Sequence, residues 1–98
     1  MKEYGIEYTL DFWVDINAAM NYIAFELANE IAARRLYHRV LKKTVSLRFS
    51  PKVHHLKDNI YSARIGHYVI IYLVNDTKNM VTFLHFWYSR KNIAKLLR

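Results

Sequence analysis

Two neighbouring stretches, residues 67–74 and 80–88, are apolar on both faces of an extended chain, and this constrains the fold more than any other feature. Side chains alternate across a strand. In the first stretch Tyr68, Ile70, Tyr72 and Val74 share one face, while Val69, Ile71 and Leu73 share the other. In the second, Val81, Phe83, His85 and Trp87 oppose Leu84, Phe86 and Tyr88. Strands of this kind need cover on two sides. A chain of 98 residues builds one core and one domain, so cover is scarce.

The rest of the chain supplies one helical layer. Residues 4–8 alternate apolar and polar as a half-buried strand does. Thr9 offers an N-cap, with Asp11 in the first turn. Trp13, Ile16, Met20, Ile23 and Leu27 then recur at steps of three and four, predicting an amphipathic helix. Ala28 and Asn29 break the pattern, and Asn29 caps a second helix running to about Leu47. Its apolar side is Ala33, Leu36, Tyr37, Val40, Thr44 and Leu47; its other side carries Arg34, Arg35, Arg39, Lys42 and Lys43. So short a connection makes the pair an antiparallel hairpin. Residues 48–59, with Pro51 and scattered lysines, read as a loop. Ile60 to Ile65 ends at Gly66, and residues 75–79 supply a turn between the last two strands. The order is β-α-α-β-β-β, an α+β domain with the helix hairpin on one face of a twisted, mainly antiparallel sheet.

One hairpin covers one face. The aromatic-rich set, Tyr68, Tyr72, Phe83 and Trp87, is expected against the helices. The other face would then expose Val69, Ile71, Leu73, Leu84 and Phe86, flanked by Arg64, Arg90 and Lys91. An apolar patch rimmed by charge is a binding surface.

Charge is unevenly distributed. Residues 1–30 hold six carboxylates against Lys2; residues 31–98 hold fourteen lysines and arginines against Asp58 and Asp76. The formal net charge is +7, and the excess in the second part points to a polyanionic partner, nucleic acid or an acidic protein segment. Bridges between an acidic first helix and a basic second one would absorb part of it. The absence of cysteine removes disulfide scaffolds, zinc ribbons and thiol nucleophiles. The longest apolar run, residues 69–74, is far short of the roughly 18 to 20 residues that span a bilayer. Glu3, Glu7 and Asp11 stand where a signal peptide would be basic and apolar, so a soluble, cytoplasmic protein without a membrane partner is expected.

The histidines give weak signals. His54 and His55 lack carboxylate or cysteine partners in sequence and read as part of a solvated loop, not a metal site. His85, alternating with aromatic residues, reads as a hydrogen-bonded core histidine, and His38 as part of a cationic helix face. No phosphate-binding glycine loop, zinc motif or nucleophile elbow is present, and no cofactor is expected.

The element order, the opening Tyr4-Gly5-Ile6-Glu7-Tyr8-Thr9, the segment from Ala63 through Tyr72 and the ending Trp87-Tyr88-Ser89-Arg90-Lys91-Asn92 together resemble the RelE/ParE superfamily of bacterial toxins. The resemblance covers nearly the whole chain and is strongest in the last three strands. It implies the toxin half of a type II toxin–antitoxin module, held inactive by an antitoxin whose C-terminal segment folds onto it in a hetero-oligomer. RelE-like members cleave mRNA on the ribosome, whereas ParE-like members inhibit DNA gyrase. The RelE-type nucleases, and often ParE-like members, carry an arginine directly after the tyrosine corresponding to Tyr68. This chain has Val69, a departure from both groups that weighs more heavily against the nuclease, whose chemistry needs that charge. Of the basic residues on the preceding strand Arg64 is kept and Ser62 replaces the other, while the arginine after the last strand is Arg90. The tyrosine or histidine further along the nuclease tail has no clear counterpart, Leu96 standing near its place and Tyr88 being the substitute within reach.

The resemblance therefore implies a ParE-like toxin that binds a target, DNA gyrase, through Arg64, Arg90 and Lys91, and an antitoxin through Val69, Ile71, Leu73, Leu84 and Phe86. The alternative is a RelE-like ribosome-dependent ribonuclease using Arg64, Tyr88 and Arg90. A third reading is a family member that survives only as a partner-binding module.

Overall fold

A computed structural model describes residues 3–88. The elements are β1 (Gly5–Tyr8), α1 (Leu10–Asn21), a π-helical turn (Tyr22–Glu26), α2 (Glu30–Ser46), β2 (His54–Lys57), β3 (Ile60–Ile65), β4 (Tyr68–Asn75) and β5 (Met80–Tyr88). The strands form one sheet in the order β1-β5-β4-β3-β2, with β1 parallel to β5 and all other pairs antiparallel. Two helices on a mixed sheet is the architecture expected from sequence, with one strand more.

That strand is β2. The segment expected as a loop pairs with β3 as a short, polar edge, broken by a bulge between His55 and Lys57. Edge strands need little hydrophobic alternation and are kept short, charged and irregular, which is why periodicity misses this one.

Both helices begin where their caps place them. The Thr9 hydroxyl accepts the Phe12 N–H at 3.1 Å, and the Asn29 side-chain oxygen accepts the Ala32 N–H at 3.0 Å. Each cap contributes about 1 kcal/mol. On α2 the buried stripe is Ala33, Leu36, Val40 and Thr44, continued by Leu47. The buried Thr44 hydroxyl donates to the Leu41 carbonyl and accepts from the Tyr8 hydroxyl at 2.8 Å. On α1 the deepest residues are Phe12 and Ile16. The π turn adds a residue to the helical repeat and rotates the side chains beyond it about the axis. Leu27, expected on the apolar stripe, is exposed instead.

The core lies between helices and sheet, with Phe12, Ile16, Leu36 and Val40 against Ala63, Ile65, Ile70, Tyr72, Val74, Val81, Phe83 and Phe86. Its composition corrects the expected faces of β5. Tyr72 pairs with Phe83 and Ile71 with His85, so Leu84 is an extra residue, a β-bulge. One inserted residue reverses the alternation beyond it. Phe86, not Trp87, therefore enters the helix-side core, its ring stacked on Tyr68 at 4.8 Å. Trp87 shares the opposite face with Val69 and stacks on His85 at 4.4 Å.

The opposite face also differs from expectation in its exposure. Val69 and Ile71 are buried, 6% and 0% exposed, and Leu73 and Leu84 are half-buried. The large exposed apolar side chains lie mostly on the helical layer, among them Leu10, Val14, Tyr22, Phe25 and Ile31. Arg90, Lys91 and Leu96 lie outside the described residues.

Candidate functional site: a cationic concavity beside the third strand

Burying Ala33, Leu36, Val40 and Thr44 fixes the rotation of α2 about its axis. Arg35, Arg39, Lys42 and Ser46, at steps of four, three and four, then form an exposed stripe flanking the core. Across from it, β2 pairs with β3 only as far as Ser62, so the outer edge of β3 from Ala63 to Ile65 has no strand partner among the described residues. Between stripe and edge lies an open concavity of about 330 Å³, lined by Arg39, Lys42, Lys43, Ser46, Arg64 and Ile65.

The β3–β4 connection closes one end. It is a two-residue turn in which Gly66 has φ +57°, a left-handed conformation suited to the first position of such a hairpin. The Arg39 guanidinium nitrogens stand 3.9 Å from where a Cβ on Gly66 would lie. The turn and the arginine are thus packed against one another at the mouth.

Among the described residues four cations and no carboxylate line this hollow. Several of the chain's acids are engaged elsewhere: Glu30 with Arg34, Glu3 with Arg48, Asp76 with Lys52, and Glu7 with the Thr82 hydroxyl. Asp15 accepts the Phe86 N–H at 3.1 Å and lies 3.3 Å from His85 Nδ1, capping the edge of β5 beside the bulge. Among the described residues no ion pair joins Arg39, Lys42, Lys43 or Arg64 to an acid, and no bridge runs from α1 to α2.

Of the residues expected from sequence, Arg64 is in the concavity. Tyr88 is not; it is exposed at the end of β5, with its ring 5.7 Å from Tyr68 and 6.2 Å from His67. Burial, reinforced by Tyr88 and Tyr22, raises the pKa of Tyr68 above its ordinary value. Val69 sits between Arg64 and Trp87 in the sheet, an aliphatic side chain in a buried row. His55 Nε2 lies 2.7 Å from the Asp58 carbonyl, and among the described residues no three histidines or carboxylates gather as a metal site. Arg39, Lys42 and Lys43 are the additions from structure. The sequence carried a signal for them in the cationic stripe beside a predicted apolar face, but their meeting with Arg64 is tertiary.

No helix among the described residues is long and apolar enough to cross a membrane. A comparison with curated protein sequences finds no match. Among solved structures, the chain is similar to the chromosomal ParDE toxin–antitoxin system of Pseudomonas aeruginosa, with TM-score 0.73, 9% identity, and coverage of 88% of this chain and 96% of that one. The isolated RelE toxin of Escherichia coli aligns with TM-score 0.63 and 14% identity over 95% of this chain and 92% of its own. The RelBE2 toxin–antitoxin complex of Mycobacterium tuberculosis aligns with TM-score 0.61 and 19% identity over 88% and 98%. These likenesses establish a shared fold. The family model describing the ParE toxin of the type II toxin–antitoxin system parDE matches residues 6–93, nearly the whole chain, and on that match the chain belongs to the ParE toxin family of type II toxin–antitoxin systems.

Proposed function

We propose that this chain arrests growth by binding a cellular target, DNA gyrase, and is neutralised by a cognate antitoxin. The observation that carries the choice of a binder over a nuclease is Val69. A phosphoryl-transfer site needs a cation poised where charge develops. After Tyr68 this chain places an aliphatic residue only 6% exposed, in the middle of the sheet. Burial raises the pKa of Tyr68, which lowers the fraction of phenolate available to act as a general base. Target contact is assigned to Arg64, with Arg90 and Lys91 following in the tail.

The antitoxin reading is supported by the Mycobacterium tuberculosis and Pseudomonas aeruginosa relatives, whose solved structures are of toxin–antitoxin systems. Of the five residues expected to meet the antitoxin, Leu73 and Leu84 are the half-buried ones and keep that role in this proposal. Val69 and Ile71 lie beneath that surface, and Phe86 belongs to the helix-side core.

Induced expression with paired readouts of plasmid supercoiling and mRNA integrity tests the proposal. The expected outcome is altered supercoiling with intact mRNA. Cleaved mRNA with unchanged supercoiling would establish the ribonuclease instead, and growth without arrest would leave only a partner-binding module.

A further inference from the structure

We propose that the concavity between α2 and the open edge of β3 binds the phosphate backbone of duplex nucleic acid without regard to base sequence. This goes beyond the reading above and holds whether or not gyrase is the target. The first support is electrostatic. Arg39, Lys42, Lys43 and Arg64 surround one hollow of about 330 Å³ with no carboxylate in its lining among the described residues. Like charges held together repel, and a shared anion relieves that repulsion. A helix C-terminus does attract cations, but only within its last turn, where Lys43 stands. Arg39, Lys42 and Arg64 have no such explanation.

The geometry selects the kind of polyanion. From Arg35 to Ser46 the stripe spans eleven residue-to-residue steps, about 16 Å of rigid helix. That length matches about five steps of a duplex strand at about 3.4 Å each, enough to meet three or four phosphates. Among the described residues the lining contains no aromatic ring. Proteins that hold single strands pair a cationic groove with aromatic platforms for the bases, so a stacked duplex fits this surface better. An acidic protein segment would need an apolar anchor in a pocket. Among the described residues the one apolar lining residue, Ile65, is 4% exposed and already part of the core. A backbone contact of this kind positions without reading sequence.

The test is direct binding of the purified full-length chain to a fluorescent 20-base-pair DNA duplex across a salt series. Parallel titrations use the matching single strand and a poly-glutamate of equal charge. With three to four phosphates neutralised, the logarithm of affinity should fall with the logarithm of salt at a slope of about −3. Arg39→Ala and Lys42→Ala should each lower affinity and flatten the slope by about 0.9, and the double variant by about twice that. Lys78→Ala, which removes an equal charge in the β4–β5 turn, should leave duplex affinity within twofold. Circular dichroism confirms that each variant is folded. Equal losses in the Lys78 and Arg39 variants would reduce the effect to diffuse net charge and overturn the site. Tighter binding of the single strand would overturn the duplex assignment, and tighter binding of poly-glutamate would assign the hollow to an acidic protein.

Discussion

Tyr72 ties the centre of the sheet to the one proline. Its side chain is fully buried, and its hydroxyl donates to the carbonyl of the buried Pro51. Burial, with a smaller contribution from Tyr61, pushes the phenol from its ordinary value of 10 up to about 12. Between those values the unfolded chain has released the proton and the folded chain retains it. Stability contributed by the neutral phenol is therefore complete below pH 10 and declines as pH rises toward 12. Tyr72→Phe should remove that decline and, by deleting one of the two hydrogen bonds to the Pro51 carbonyl, which also accepts the Val53 N–H at 3.1 Å, cost about 1 kcal/mol at neutral pH. Urea unfolding at pH 7 and at pH 11 measures both effects. Ile71 and Leu84 differ in a way that alternation alone hides. Ile71 is 0% exposed, so Ile71→Glu should destabilise the fold by about 3 kcal/mol or more through a buried charge. Leu84→Glu, at a half-buried bulge position, should melt close to the parent chain.

At the scale of elements, α1 and its π turn end on Ala28, which has φ +50°. The left-handed conformation at a helix C-terminus is the usual place for glycine, since a Cβ there costs roughly 1–2 kcal/mol. Glycine also gains freedom in the unfolded chain, which offsets part of the relief. Ala28→Gly should then stabilise by about 0.5–1 kcal/mol, seen as a higher urea midpoint with an unchanged slope. The two helix caps and the buried face of α2 were legible in sequence because each depends on residues within one or two turns. The fate of Phe86 and Trp87 was not. A bulge at Leu84 satisfies the pairing of two strands with Thr9 and Asp15 of a third element, and no local pattern encodes that. Thr9 donates its hydroxyl hydrogen to the Leu84 carbonyl, and Asp15 accepts the Phe86 N–H, so the β5 edge beyond β1 is closed by side chains. Edge strand β2 was hidden for the opposite reason, having no buried face to betray it beyond Leu56. The concavity depends on that edge strand, since its wall is the length of β3 that β2 leaves unpaired.

Across the whole molecule the cationic hollow and the bulge occupy different strands. Arg64 is on β3 and Leu84 on β5, with β4 between, so the two sites are two strand spacings apart, about 10 Å. Groups at that separation without shared partners act nearly independently. Toxicity and neutralisation should therefore dissociate. Arg64→Ala removes a charge from the proposed target surface while leaving the bulge intact, so it should weaken growth arrest yet still bind the antitoxin with the parent affinity. Leu84→Glu should do the reverse: growth arrest persists, and co-expressed antitoxin no longer rescues. The pair is read by colony formation with and without the antitoxin, and by pull-down of the antitoxin on each variant. If Arg64→Ala escapes the antitoxin, the inhibitor covers the hollow and blocks it directly. If instead Leu84→Glu is neutralised as well as the parent, the inhibitor seats elsewhere. The exposed apolar side chains of the helical layer, with Leu10, Val14 and Phe25 foremost, would then be the surface to substitute next.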